Sequence, residues 1–241
     1  MRFRMLMLMT VLALAVQCAF AADGTTSALY LTSGDSQTIF KVKGTSIVGR
    51  WTARNHGEYA IAVSSGTVRT AGDSSKSGTK YTLSGTPLSL DALESGTYDG
   101  TTNGKVNYGI NYDTGEVFQA NLDWSNPQDL FVLNAASELG ITYDSSNNSL
   151  WVGGFGSGEI CDYTLEGVVL SCFATPQSVD DQALALDPAD GTLWITERTL
   201  NSTIVLDQYS KEGTFLQQIS LNAGEYQNIL GGEFAPGSSA P

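Results

Sequence analysis

A repeat of about 43 residues, short β-forming runs with almost no helical periodicity, and complementary fragments at the two ends of the chain predict an all-β fold. The architecture they imply is a small β-propeller of about five four-stranded blades, its ring closed by pairing of the N- and C-terminal strands. The repeat is clearest between residues 139–154, LGITYDSSNNSLWVGG, and residues 183–197, ALALDPADGTLWITE. Aligning Tyr143-Asp144 with Leu186-Asp187 also aligns Leu150-Trp151-Val152 with Leu193-Trp194-Ile195, an offset of 43. Both copies continue with a third strand, a Glu-Gly turn (Glu166-Gly167; Glu212-Gly213) and a fourth strand, which together make one blade.

Weaker copies extend the pattern. Residues 59–70, YAIAVSSGTVRT, and 106–119, VNYGINYDTGEVFQ, each read as the first two strands of a unit. Residues 28–51 supply three strands without an innermost one, and 228–234, NILGGEF, an innermost strand with nothing after it. Each end supplies what the other lacks, so joining them leaves no free sheet edge at the seam. Innermost strands near Ile61, Ile110, Ile141, Leu184 and Gly232 give five blades. Their spacing makes the third blade short, without an outer strand, and puts long surface loops in the Gly-, Ser- and Thr-rich residues 71–104. A β-sandwich is the alternative fold, and the matched repeat pair argues against it.

The first 21 residues read as a secretory signal peptide. Arg2 and Arg4 precede an apolar run over 5–16, and Ala19-Phe20-Ala21 places cleavage after Ala21. The run is short for a membrane span. A lipoprotein signal at Cys18 is the alternative, with Gln17 and Ala15 fitting it poorly. Residues 22–235 are then the propeller domain and 236–241 a flexible Pro/Gly/Ser tail, in a secreted or periplasmic protein without membrane insertion. Removing the signal takes two bases and no acid from the 12 basic and 25 acidic residues, leaving a net charge of −15. That excludes nucleic acid and anionic lipid surfaces as natural partners. Cys161 and Cys172 remain. If Leu165 faces Val168 across the Glu166-Gly167 turn, the same register sets Cys161 opposite Cys172, and in an oxidising compartment the two are expected to form a disulfide.

The two strong units resemble secreted bacterial β-propellers of the broad NHL, SMP-30 and YncE-like class. The resemblance rests on the Tyr143-Asp144 and Leu186-Asp187 pairs, the Leu-Trp-Val/Ile strand and the Glu-Gly turn. It covers residues 139–221 well and 59–138 loosely, and it names an architecture more than an activity. Positions just before the innermost strands gather at one mouth of the central channel: Glu58, Asn107, Glu138, Asp181, Gln182 and Asn228. These oxygen-rich side chains are the candidate ligand-binding set. The likeness to SMP-30-like lactonases implies Glu58, Asn107 and Asp181 as ligands of a divalent cation such as calcium.

No catalytic constellation accompanies them. His56 is the single histidine, no G-x-S-x-G elbow or P-loop is present, and GGFGSG at 153–158 reads as a hairpin turn. Trp151 and Trp194 hold equivalent repeat positions and read as packing between blades. Trp124, in the sequence DWSNP, reads as an exposed stacking residue. The expectation is a secreted, monomeric, non-enzymatic binding or surface module whose partner is a protein, glycan or small molecule. A metal-dependent lactonase-like hydrolase and a five-bladed carboxylate glycosidase are the alternatives.

Overall fold

Strands form on the β-branched and aromatic runs, and turns form on the Gly, Asn and Asp clusters between them. The computed structural model describes residues 27–236 apart from 35, 65, 73–76, 93–95, 134–137, 155–157, 176–180, 198–201 and 226. The signal-peptide segment 1–21 and tail residues 237–241 lie outside the described residues.

In chain order the strands are β1 (Leu29–Ser33), β2 (Thr38–Lys43), β3 (Ser46–Thr52), β4 (Glu58–Ser64), β5 (Thr67–Gly72), β6 (Ser77–Thr82) and β7 (Pro87–Ala92). They continue as β8 (Thr97–Thr102), β9 (Asn107–Asn111), β10 (Glu116–Ala120), β11 (Gln128–Val132), β12 (Glu138–Asp144), β13 (Ser149–Gly154), β14 (Glu159–Thr164) and β15 (Val169–Ala174). The last five are β16 (Asp181–Leu186), β17 (Leu193–Glu197), β18 (Thr203–Tyr209), β19 (Phe215–Asn222) and β20 (Ile229–Phe234). They form five four-stranded antiparallel sheets, β4–β7, β8–β11, β12–β15, β16–β19 and β20-β1-β2-β3, the blades of a five-bladed propeller. Strands β4, β8, β12, β16 and β20 pack against one another around the axis. The seam is as expected: β20 pairs with β1 through Leu31↔Gly232 and its neighbours, so one blade is shared between the two ends.

The blade β8–β11 corrects the sequence reading. Its innermost strand is β8, and residues 106–119 hold the second and third strands, so the blade has all four. Residues 71–104, expected to be long loops, carry the end of β5 and all of β6, β7 and β8. The run TYDGTT shows no apolar alternation, because its buried positions are Thr97, Asp99, Gly100 and Thr101.

Each interface between blades has its own apolar layer, the usual consequence of stacking twisted sheets face to face. Tyr108, Ile110 and Val117 meet Ile141, Leu150 and Val152. Trp151 and Ile160 meet Leu184, Leu193 and Ile195, and Trp194 joins Leu31, Phe40 and Phe234, so both repeat tryptophans are core. The layer between β4–β7 and β8–β11 is built differently, from Ala60, Ala62, Ala71 and Ala120 around the indole of Trp124. Trp124 is 1% exposed, which corrects its reading as a surface residue. Its turn gives it a φ of 63°, a left-handed backbone that costs a bulky residue but folds the ring inward. A Cβ on Gly100 would lie 2.5 Å from that ring, so only glycine fits there.

Cys161 and Cys172 form the expected disulfide between facing positions of β14 and β15. The turn differs slightly: Thr164 N–H bonds Val168 carbonyl, and a bulge at Asp162/Tyr163 restores the register at the cysteines. No helix among the described residues is long and apolar enough to cross a membrane.

Candidate functional site

The channel axis is closed by one carboxylate. Asp99, on β8, is fully buried, and each of its oxygens accepts two backbone N–H groups. Oδ1 takes Gly100 at 2.8 Å and Gly232 at 2.9 Å, while Oδ2 takes Ile141 and Leu184, both at 3.1 Å. Four of the five innermost strands therefore meet on a single side chain. A Cβ at Gly231 would lie 2.7 Å from Thr32 Oγ1 and 3.2 Å from Asp99 Oδ1, so the close approach of β20 needs its glycine pair. Burial pushes the Asp99 carboxyl up, and the four N–H groups oppose that by favouring the charged form. The fifth innermost strand, β4, is tied in by Thr32, whose hydroxyl donates to the Tyr59 carbonyl.

Below Asp99 lies a second buried acid. Glu233, the penultimate residue of β20, is 8% exposed. Its Oε1 accepts the Thr101 hydroxyl at 2.9 Å, and Thr101 in turn accepts the Tyr143 N–H at 3.0 Å. Its Oε2 is shielded from solvent and completes no hydrogen bond among the described residues. Burial pushes the Glu233 carboxyl well up; the Asp99 charge adds to this, and Thr101, Thr102 and Thr142 pull the other way.

Glu233 lines a cavity of about 420 Å³ at the lower mouth, where the innermost strands end. Ser64, Thr102, Leu186 and Phe234, the last residues of β4, β8, β16 and β20, frame it together with Tyr143 near the end of β12. All five innermost strands thus contribute. Asn103 and Ser145 add polar groups from adjoining turns, and Leu122 and Pro188 add apolar walls. Its volume lies in the range of small-molecule pockets.

The residues expected from the sequence lie mostly at the other mouth. Glu58 begins β4, but its carboxylate is turned into its own blade. Oε1 accepts Asn55 N, Asn55 Nδ2 and Thr79 Oγ1, and Oε2 accepts Thr70 Oγ1 and the Tyr81 hydroxyl. Five donors leave it no free lone pair directed at the axis. Asn107 begins β9, the second strand of its blade, and so sits opposite Thr102 at the lower mouth, away from Glu58. Its Nδ2 donates to the Leu122 carbonyl at 3.0 Å. Asn228 is half-buried just before β20, and its carbonyl accepts the Gly34 N–H. The side chains of Glu138, Asp181 and Gln182 lie outside the described residues. Glu58 and Asn107 are at opposite ends of the axis, so with Asp181 they do not fit one divalent cation. Among the described residues, the single cluster of three metal-ligating side chains is Glu159, Cys161 and Cys172, whose sulfurs are taken up in the disulfide. His56 is exposed in the β3–β4 loop at the upper mouth.

Asp99 and Glu233 escaped the sequence reading. The available signal was an acid placed inside a strand-forming run, TYDGTT and ILGGEF, where alternation calls for an apolar or small residue.

No protein-family model matches the chain, and no curated protein matches it. Solved structures do. A chain of a nidogen–laminin complex aligns with a TM-score of 0.58 at 10% identity, covering 87% of this chain and 98% of that one. A glutaminyl cyclase from Myxococcus xanthus aligns with a TM-score of 0.58 at 14% identity, covering 87% and 86%. A streptogramin B lyase aligns with a TM-score of 0.50 at 16% identity, covering 80% and 64%. At these identities the likeness establishes the β-propeller class and not an activity.

Proposed function

We propose that this chain is an exported, non-enzymatic binding module that seats a small molecule in the cavity at the lower mouth. The observation that carries this reading is the cavity of about 420 Å³ framed by all five innermost strands, with a buried acid in its wall. The axis above is sealed by the Asp99 cage, so a ligand rests against a floor that four strands hold rigid. A binding role is favoured because, among the described residues, the lining carries no nucleophile–base pair, and His56 is at the opposite mouth. Burial of Trp124 removes the stacking platform that a glycosidase reading required. Export is supported by the disulfide together with the signal-like first 21 residues. The similar propellers carry both binding and enzyme names, so the fold itself favours neither.

Ligand-observed NMR with a fragment library, run on the unaltered protein and on Ser145→Trp, tests the reading. Ser145 is exposed in the β12–β13 turn, so the indole fills the cavity mouth without entering the core. Fragments that bind and are lost in the variant support the assignment. Fragments indifferent to it, or none at all, overturn it.

A further inference from the structure

The chemistry of the lower cavity points to the charge of its ligand. Among the described residues its lining holds two ionisable side chains, Glu233 and Tyr143, and no cation. The Tyr143 hydroxyl already donates to Asn148 Oδ1 at 2.8 Å, which leaves Glu233 as the one group able to carry formal charge into the site. Anionic ligands therefore find no cationic partner among these residues. A hard divalent ion, which collects six or more oxygens and favours several charged ones, finds a single carboxylate beside the neutral side chains of Ser64, Thr102, Asn103 and Ser145. The Glu233 carboxyl has one oxygen bonded to Thr101 and one, Oε2, that completes no hydrogen bond. A buried carboxylate in this condition is stabilised by a charged donor far more than by a neutral one.

The surroundings reinforce the sign. The ionisable groups on the adjoining elements are Asp99 on β8, Lys105 in the β8–β9 turn, Asp123 after β10, Asp144 at the end of β12 with its partner Lys211, and Asp187 and Asp190 in the β16–β17 turn. Five carboxyl groups stand against two amines, and Lys211 is already paired with Asp144.

We infer that the cavity takes a small organic monocation, an amine whose ammonium group pairs with the Glu233 carboxylate while its apolar body lies against Leu122, Leu186 and Pro188. This rests on the cavity being the binding seat, as proposed above. Pairing with an ammonium draws the Glu233 carboxyl down from its raised position, so complex formation releases a proton over the pH range that separates the free from the bound carboxyl. Affinity then rises with pH above the ordinary carboxylate range and levels off once Glu233 is ionised before binding.

Phenethylamine and 2-phenylethanol, a charged and a neutral probe of the same shape, make the test by titration calorimetry in two buffers of different ionisation enthalpy. The amine is expected to bind at least about tenfold more tightly than the alcohol, to lose at least about tenfold in Glu233→Gln, and to release protons on binding. Should Glu233→Gln fail to fold, the proton release of the unaltered protein decides. Equal binding of amine and alcohol, or no proton release at any pH of a series from 4 to 8, overturns the ammonium pairing and leaves the cavity as a neutral seat. Failure of both probes, together with an empty fragment screen, overturns the cavity reading itself.

Discussion

The blades β12–β15 and β16–β19 are the two copies most alike in sequence, yet their buried acids are in opposite electrostatic states. In the first, Asp144 Oδ2 accepts the Trp151 indole N–H at 3.2 Å and pairs with Lys211, while Oδ1 accepts the Ser146 hydroxyl. Burial pushes the Asp144 carboxyl up, but Lys211, Ser146 and Trp151 together bring it below the ordinary range. In the second, Asp187 Oδ1 accepts the Ala189 N–H, and Oδ2 has no partner among the described residues; neither does the Trp194 indole N–H. Burial pushes the Asp187 carboxyl up to about 6, with Asp190 adding to it. The difference comes from the neighbour. Lys211 sits in the β18–β19 turn and reaches back to the preceding blade, whereas the corresponding β2–β3 turn begins at Lys43, which is exposed. A repeat motif thus fixes where the acid and indole sit, and the next blade decides whether the acid is welcome as an anion.

Four experiments break or sharpen that comparison. The largest effect concerns the staple that only one of the two blades has: Cys161→Ala with Cys172→Ala is expected to cost about 3 kcal/mol in denaturant unfolding. Next, Lys211→Met leaves Asp144 buried without its cation and is expected to cost about 2 kcal/mol, less than a fully buried pair because Lys211 is partly exposed. Asp144 is depressed in the folded state, so the stability it contributes is present above the unfolded carboxylate range and is lost as pH falls through its folded value. The variant should therefore show a flatter acid limb; an unchanged limb would remove Lys211 from the account. Third, Asp207 faces Gln218 where the other blade has Cys161 facing Cys172. Cysteines at both positions are expected to crosslink and add about 1.5 kcal/mol, read as a reductant-sensitive gain in Tm.

The smallest effect is that of Asp187→Asn. The folded carboxyl lies above its unfolded value, so the native state loses stability as pH rises from about 4 to about 6. The amide should gain about 1 kcal/mol at pH 8, well under the full linkage value because nearby solvent screens the site, and nothing at pH 4. A gain of equal size at both pH values would show that packing, and not charge, is responsible.

The fold was legible where inward positions are apolar. The offset of 43 between the two strong copies, the split blade at the ends and the cysteine register all follow from side chains that alternate inward and outward. It failed at β8, where Asp99 and Thr101 replace apolar residues and Gly100 gives its space to Trp124. It failed again at Trp124, because a turn rich in Asp, Ser and Asn looks exposed when read locally, while its indole fills an interface lined with alanines from another blade. The candidate site was missed for the same reason. The upper mouth advertises its polar residues at strand starts, but Glu58 is fully engaged within its blade, and the chemically strained acids lie mid-strand or at the strand end. The substitutions that blur the strand pattern are those that give the axis its chemistry.

The order of these residues along the chain has a kinetic consequence. Asp99 emerges during synthesis well before Ile141, Leu184 and Gly232, three of the four groups that hold it. Glu233 belongs to the final strand, which also completes the first blade. The cavity wall and the closed ring are therefore finished in the same event. A C-terminally clipped chain without β20 keeps three of the four groups on Asp99 but lacks Glu233 and the strand that completes the first blade, so the cavity wall exists only when the circle has been latched.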